Sequence, residues 1–280
     1  MTDKPTTAAG YKSGQVELVR ATCLYIATKL GDLMDELVVI GGLVPSLLIK
    51  QDELPEDADA HVGTMDLDVG LTLALLNEGR YKSLTERLRR AGFEQDVNDE
   101  GNPTRQRWKF EQLEKITIDF LIQPSLPDDK GGKLRDIESD FAAVIAPGLH
   151  LAFQDSEQVT LEGKTVMGER AKRNIQVCGP GAYVVLKSIA FRLRGENKDA
   201  YDLYYLLRNY GTGIVDVATR LKPLLSDPST KQALKYLRED FQEHDGIGPR
   251  RVAEFIAAGP DDMIQADVVG FVRQLLERCG

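Results

Sequence analysis

Apolar residues recur at helical spacing near the start of the chain and at strand spacing directly after it. Residues 14–34 place their apolar positions on one broad face, which predicts a helix. The run 36-ELVVI-40 is short and apolar, and it ends at Gly41 and Gly42. Residues 43–50 follow with Pro45 in the position of a first helical turn. The pattern therefore predicts a strand, a glycine turn and a second helix.

The middle of the chain alternates between strand and helix signals. An acidic loop at 51–60 precedes an apolar strand, and a basic amphipathic helix is predicted at 79–92. Two further strand candidates, 105–111 and 115–122, are separated by a short polar turn and predict a hairpin. The content of Pro, Gly and charged residues predicts a loop at 124–136.

The last part of the sequence is helical. Short strands are expected at 158–163 and 174–179, and helical periodicity continues from there almost to the end. The predicted helices are 180–194, 197–211, 214–225, 229–241, 249–258 and 264–278. We therefore expect an α+β protein, in which a mixed sheet with helices (residues 1–178) is followed by a helical domain (residues 179–280).

Composition excludes some classes of function. The 280 residues contain no run near the roughly 20 apolar residues of a membrane helix, and the polar N-terminus has no signal-peptide pattern. A cytoplasmic protein without a membrane partner is expected. The net charge of -9 means that local basic patches must hold any nucleic acid. Three histidines and three widely spaced cysteines argue against histidine-based hydrolysis and a structural zinc site.

Two aspartates interrupt the apolar strand in 61-HVGTMDLDVGLTL-73. Side chains alternate across a strand, so Asp66 and Asp68 project from one face, and Leu67 and Val69 from the other. Two carboxylates about 7 Å apart or closer raise each other's pKa unless a cation lies between them. A solvated turn is the ordinary alternative for such a pair, so the choice depends on further residues.

A third aspartate, Asp119, lies among apolar residues in 115-KITIDFLI-122. Burying an unpaired carboxylate is costly, so Asp119 requires a cation, hydrogen-bond donors or an exposed strand face. If its strand neighbours that of Asp66 and Asp68, three carboxylates converge on one face. Such oxygen ligands suit Mg²⁺ or Mn²⁺, and two ions about 3.5–4 Å apart can clamp the reacting oxygens of a nucleotidyl transfer.

The pair Gly41-Gly42 offers backbone N–H groups that no Cβ obstructs, at the start of a predicted helix whose dipole favours anions. Ser46, one turn further, can add a hydroxyl group. These features are what triphosphate binding requires. The alternative is a tight connection between strand and helix with no ligand.

Taken together, these motifs resemble a known family. The order of "GG" (Gly41-Gly42), "TMDLD" (Thr64 to Asp68) and "IDF" (Ile118 to Phe120) is similar to the nucleotidyltransferase superfamily typified by DNA polymerase β. The pair "LKSIAFRLR" (Leu186 to Arg194) and "KDAYDLYYLL" (Lys198 to Leu207) resembles the AbiEii-like nucleotidyltransferases, which are toxin components of bacterial abortive-infection and toxin–antitoxin systems. The resemblance covers about residues 15–210 and implies a nucleotidyltransferase-type mixed sheet.

The resemblance implies roles for the sheet residues. Gly41 and Gly42 would hold the triphosphate, and Asp66 and Asp68 would bind the metal. Asp119 would complete the metal site or activate the acceptor hydroxyl. Many relatives have Gly-Ser in the first motif, so Gly42 in the serine position puts one hydroxyl contact in doubt.

The resemblance also implies roles for the helical part. Lys187 corresponds to a phosphate-contacting lysine and Asp202 to the aspartate of the last motif, with Arg192 and Arg194 near basic positions that contact nucleotide. The residues themselves leave alternatives open: Lys187 and Arg194 share one helix face that solvent can cover, and Lys198 with Asp202 can be an ordinary i,i+4 ion pair.

Three further features have ordinary interpretations. The tyrosines in 197–211 are expected to pack between helices rather than to stack a base. His61 is expected at the surface and is not assigned to the site. The basic helix at 79–92 can bind RNA, although a solvated helix face is the more common role of such a pattern.

The leading hypothesis is a Mg²⁺-dependent nucleotidyltransferase that moves an NMP unit from an NTP to an acceptor. The resemblance implies a toxin of a toxin–antitoxin or phage-defence system, with tRNA or another RNA as acceptor and a separately encoded antitoxin as partner. Two alternatives are transfer to a small molecule, as in antibiotic-modifying relatives, and a nucleotide-binding or partner-binding module without turnover.

Overall fold

The computed structural model describes residues 5–12, 14–50, 54, 58–72, 80–98, 100–110 and 113–280, with the backbone alone for 113–115. Much of the expected acidic loop, Gly79 at the start of the basic helix, and the hairpin turn at 111–112 lie outside these residues. The helices and strands of the described chain follow in order: α1 (Gln15–Leu30), β1 (Leu37–Ile40), α2 (Val44–Leu48), β2 (Asp66–Leu71), α3 (Arg80–Arg90), β3 (Phe93–Val97), β4 (Pro103–Phe110), β5 (Leu113–Ile122), β6 (Leu134–Glu138), β7 (Phe141–Ile145), α4 (Leu149–Gln154), β8 (Ser156–Lys164), β9 (Arg170–Cys178), α5 (Pro180–Arg194), α6 (Asn197–Asn209), α7 (Ile214–Leu221), α8 (Pro228–Phe241), α9 (Ile247–Ala257) and α10 (Asp262–Cys279).

The protein has an α+β fold and divides into two compact units. The first unit contains residues 14–44 and 64–178, and the second contains 179–280 together with the described parts of 3–13 and 45–63. One division falls between Cys178 and Gly179, where the sequence pattern also changes. The described residues of the segment 45–63 belong to the helical unit, which the sequence did not indicate. The assignment of residues 1–178 and 179–280 to two domains stays a prediction.

The first unit is built on a mixed sheet with strand order β3-β4-β5-β2-β1-β9-β8, and the β6–β7 hairpin joins it through β7 and β5. Strand β2 pairs antiparallel with β1 and parallel with β5, and β4 pairs antiparallel with β5. Leu67, Trp108, Ile118 and Phe120 are buried on one face. Because side chains alternate, this hydrophobic face leaves the intervening residues of β2, β4 and β5 on the other face.

Most of the predicted elements of the first unit are correct, including the strand before Gly41 and the hairpin of β4 and β5. Four elements were not predicted: β3, β6, β7 and α4. The loop expected at 124–136 ends where β6 begins at Leu134. Strand β6 has the sequence LRDIE and is mostly polar, so its pairing with β7, rather than an apolar pattern, accounts for it.

The second unit contains helices α5 to α10, and all six predicted helices are confirmed within a few residues. Helix α5 begins with Pro180, which lacks the N–H group that a first turn leaves unused. It ends at Arg194 and is capped by Gly195, which has a left-handed φ of 68°. It packs against α6, α7 and α8. None of the helices in the described residues is long and apolar enough to cross a membrane.

Candidate functional site

The pairing register brings the three predicted aspartates onto one face of the sheet. Between the parallel strands β2 and β5, Asp66 lies opposite Thr117 and Asp68 lies opposite Asp119. The expectation that three carboxylates converge is therefore correct. We call Asp66, Asp68 and Asp119 the aspartate face.

Arg107 of β4 also belongs to this face, and the sequence interpretation did not identify it. It lies opposite Asp119 in the antiparallel pair of β4 and β5. Its guanidinium donates two parallel hydrogen bonds to Asp119, with Nε 2.8 Å from Oδ1 and Nη2 2.6 Å from Oδ2. The hydrogen bonds to Asp119, and the charges of Asp119, Asp66 and Asp68, raise the pKa of Arg107.

The other carboxylates of the aspartate face have their own surroundings. Thr117 donates a hydrogen bond of 2.8 Å to Asp66 Oδ1, and Asp66 is buried, whereas Asp68 is partly exposed. Among the residues that the structure describes, no group of three or more His, Cys, Asp or Glu side chains is arranged to hold a metal ion. Asp66 and Asp68 suit a hard divalent cation by the chemistry of their oxygens, while Arg107 engages both oxygens of Asp119.

The Gly41 turn lies directly beside the aspartate face. Ile40 pairs with Asp68, and the next residue, Gly41, has a left-handed φ of 73°. A Cβ at Gly41 would overlap the Asp68 carboxylate, so only glycine allows this approach of backbone to carboxylate. Helix α2 has only five residues, so its dipole is weaker than that of the predicted helix at 43–50.

Two predicted basic residues of α5, Lys187 and Arg194, belong to an ion cluster of the second unit that also contains Lys198, Asp199 and Asp202. Lys187, Asp199 and Asp202 are buried, whereas Arg194 is exposed. The ammonium group of Lys187 lies 2.8 Å from Asp199 Oδ1 and 2.8 Å from Asp202 Oδ2. Lys198 binds the other oxygen of Asp202, and Arg194 donates two hydrogen bonds to Asp199. The interpretation of Lys187 as part of a solvated face is therefore wrong, because Lys187 is buried.

Mutual attraction within the ion cluster outweighs the cost of burial for most of its members. Burial by itself would lower the pKa of Lys187, but the charges of Asp199 and Asp202 raise it. Burial would raise the pKa of Asp202, but Lys187 and Lys198 hold it well below its ordinary value. Lys198 differs, because burial lowers its pKa despite Asp202. The cluster is thus a set of compensated charges that depends on each partner.

The expected surface position of His61 is wrong. His61 is buried, and its Nε2 lies 2.9 Å from Asp202 Oδ1. Gly63 N–H donates to His61 Nδ1 at 3.1 Å, which places the ring proton on Nε2, where it donates to Asp202. Ser46 Oγ lies 3.2 Å from the same Nδ1. The contacts from Ser46 to His61 to Asp202 have the connectivity of a hydrolase triad. All three residues are buried, however, and Nδ1 already accepts a hydrogen bond from Gly63, so we assign them a structural role.

Aromatic rings surround His61 and hold its segment to the helical unit. Tyr201 stacks on the imidazole with ring centroids 5.4 Å apart, and Tyr205 meets it edge-on at 4.8 Å. The backbone N–H of Val62 donates to the Tyr201 hydroxyl, and the Tyr205 hydroxyl donates to the Asp59 carbonyl. The packing interpretation of the tyrosines is confirmed, and the same contacts explain why residues 58–63 belong to the second unit.

The remaining predicted basic positions also form ion pairs. Arg192 binds Glu239 at 2.9 Å and binds Asp240 as well. In helix α3, four arginines are paired with carboxylates: Arg80 with Glu36, Arg87 with Asp32, Arg89 with Asp140, and Arg90 with Glu86. Much of the positive charge expected to contact RNA at 79–92 is therefore compensated within the first unit.

Comparisons with known proteins do not identify a family. The chain matches no model of a known protein family, and a search of curated proteins finds no similar sequence. The resemblance to AbiEii-like nucleotidyltransferases stays a prediction.

We expect the protein to lose stability as the pH falls from about 6.5 toward 4. Burial, and then the charge of Lys198, lowers the pKa of His61 to about 4, although Asp202 opposes the shift. In this range the unfolded chain binds a proton at His61 that the folded chain does not bind. The free energy of unfolding is therefore lower by roughly 3 kcal/mol at pH 4 than at pH 6.5. Melting temperatures across this range measure the effect.

The matched control for this pH dependence is His244, which is exposed and has a pKa raised mainly by its hydrogen bond to Asp245. His61→Gln should flatten the slope between pH 6.5 and 4, whereas His244→Gln should leave most of it. A wild-type slope that persists in His61→Gln would contradict the assignment of this acid sensitivity to His61.

Proposed function

We propose that this protein is a metal-dependent nucleotidyltransferase and that the aspartate face is its catalytic centre. The observation that carries the proposal is the register of β2 and β5, which sets Asp66, Asp68 and Asp119 on one face beside the Gly41 turn. A bound Mg²⁺ or Mn²⁺ would neutralise charge on the triphosphate and on the departing pyrophosphate. Asp66 and Asp68 are the residues that would hold it.

Gly41 has a separate role in the proposal. Its missing Cβ lets the backbone approach Asp68, and a triphosphate that shares a cation with Asp68 would lie against this turn. Gly42 is buried and continues the turn toward α2. The proposal therefore assigns the phosphate groups to the backbone of Gly41 and Gly42.

The nucleotide-binding roles of Lys187, Arg192, Arg194 and Ser46, and the catalytic role of Asp202, stay predictions. The ammonium group of Lys187 already contacts two carboxylates, and a phosphate would have to compete with both. Ser46 lies against His61. The contacts of these residues favour a structural role within the helical unit.

The acceptor that we propose is an RNA, with tRNA as the specific candidate. The biological role that we propose is that of a toxin with an antitoxin partner or of a phage-defence enzyme. The support is the resemblance of the motifs described above. Transfer to a small molecule is the alternative within the same chemistry. A strongly acidic chain can bind RNA only through local positive charge, so RNA transfer should weaken with salt.

One observation favours a second candidate, a binding module without turnover. Arg107 neutralises Asp119 within the protein, as a cation would in an active enzyme. A scaffold that retained the aspartate face without catalysis would need such a compensating charge.

The experiment that tests the proposal is incubation of the purified protein with each α-labelled NTP, Mg²⁺ or Mn²⁺, and either total RNA or a small-molecule extract. We expect label in RNA from at least one NTP, loss of label with a chelator, and a decrease between low and high salt. Label in the small-molecule fraction without a salt effect would favour the alternative acceptor. Absence of label in both fractions would favour the binding module.

A further inference from the structure

The contacts of Arg107 have a consequence for how the aspartate face takes up a cation. Arg107 is positively charged at every pH at which the protein is folded, because a guanidinium does not lose its proton in proteins. Its two hydrogen bonds occupy one Oδ1 and one Oδ2, which are the only two side-chain oxygens of Asp119. A divalent cation that uses Asp119 must therefore displace one of these bonds or share an oxygen with Arg107, whose positive charge opposes its binding.

We propose that Arg107 is a built-in counter-ion of the aspartate face, which stabilises the metal-free protein and competes with the divalent cation for Asp119. This inference rests on the proposed function, because it concerns the metal site of that function. It adds that the affinity for the cation is set by Arg107 as well as by the aspartates.

Burial makes this competition effective. The side chain of Arg107 is 21% exposed and that of Asp119 is 14% exposed, so water screens the pair weakly. The fork geometry also loses less side-chain entropy per hydrogen bond than a lysine would. By comparison, Arg105 on the same strand pairs with Asp136 through side chains that are 39% and 60% exposed. Of these two arginines, only Arg107 is held by a largely buried carboxylate.

The charges of the whole face act in the same direction. Asp66 and Asp68 also attract Arg107, so one cationic side chain serves three carboxylates. Removing the charge of Arg107 would leave three negative groups to repel one another unless a proton or a metal ion replaced it. Loss of Arg107 should therefore weaken the metal-free protein and strengthen cation binding.

The cation would also change the state of Asp119. While Arg107 donates to both of its oxygens, part of the hydrogen-bonding capacity of Asp119 toward an acceptor hydroxyl is already used. Release by Arg107 frees one oxygen. The arginine is therefore a positioning residue that links cation uptake to the availability of Asp119.

The experiment measures Mn²⁺ binding, by the loss of the free-ion electron paramagnetic resonance signal, together with melting temperature in chelator and in Mn²⁺. Arg107→Gln should bind Mn²⁺ about tenfold tighter or more than wild type, and should melt several degrees lower in chelator with recovery in Mn²⁺. Arg107→Lys keeps one charge but lacks the planar pair of parallel donors, so we expect an intermediate affinity. Arg105→Gln is the matched control and should behave as wild type.

The outcomes separate this inference from the proposed function. Equal Mn²⁺ affinity in wild type and Arg107→Gln would overturn the counter-ion role while leaving the metal site intact. Weaker Mn²⁺ binding in Arg107→Gln would also overturn it. Absence of Mn²⁺ binding in all variants would reject the metal site itself and the inference with it. If Arg107→Gln does not fold in chelator, Arg107→Lys decides, because its tighter binding supports the inference and an affinity equal to wild type contradicts it.

Discussion

Asp68→Asn should lower nucleotide transfer by about 10²-fold or more, because it removes one negative charge from the aspartate face while keeping the shape of the side chain. The β-strand pairing of Asp68 with Ile40 and Asp119 uses the backbone, so the sheet should remain folded. Relief of repulsion among the carboxylates should leave the melting temperature in chelator equal or slightly higher. Initial rates of label transfer at saturating NTP measure the effect.

The control for this prediction is Asp96→Asn. Asp96 lies in β3 at the edge of the same sheet and pairs with Thr104 of β4. Its replacement removes the same charge from the same sheet and should leave transfer near the wild-type rate. Near-normal transfer by Asp68→Asn would show that this carboxylate is not catalytic.

Asp202→Asn should destabilise the protein by about 3–5 kcal/mol, the cost typical of removing one partner from a buried ion pair. Asp202 is fully buried and accepts hydrogen bonds from Lys187, Lys198 and His61. Asparagine has nearly the same volume, so the loss reflects charge and not a cavity. Chemical denaturation at pH 7 measures the difference in the free energy of unfolding.

Asp267→Asn is the matched control for Asp202, because Asp267 pairs with Arg208 at 3.6 Å through side chains that are about half exposed. Its cost should be below about 1 kcal/mol. Adding Lys198→Met to Asp202→Asn should recover part of the loss, since it removes a positive charge that has lost its Asp202 partner, whereas Lys187 keeps Asp199. A loss in Asp202→Asn as small as that in Asp267→Asn would contradict the role of the ion cluster in stability.

The parts of the fold that the sequence predicts are those with a strong local pattern. The helices after Pro180 have apolar residues at helical spacing, and the strand before Gly41 is an apolar run that ends at glycine. Alternation along β2 also predicted that Asp66 and Asp68 share a face. Whether Asp119 lies on the same face depended on whether its strand neighbours β2. The register of β2 and β5 confirms that condition.

The features that were missed depend on contacts far apart in the sequence. Arg107 pairs with Asp119 across a hairpin, and a polar strand gives no local sign of which of its charges is buried. His61 contacts Asp202, which lies 141 positions later in the chain. The hydrogen bond to Asp202 and the contacts with the tyrosine rings together make the burial of His61 favourable. Strand β6 is likewise defined by β7. In each case contacts with residues far away in the sequence determine the structure, and the secondary-structure or burial preference of the local sequence does not.

The most direct test of the central claim follows the two ends of the triphosphate in parallel reactions of the wild-type protein with RNA and Mg²⁺. One reaction uses NTP labelled at the α-phosphate and the other uses NTP labelled at the γ-phosphate. Nucleotidyl transfer predicts α-label in RNA and γ-label in pyrophosphate in equal amounts, with both products lost in Asp68→Asn. Intact NTP in both reactions, or γ-label released as phosphate or moved to RNA, would contradict the account.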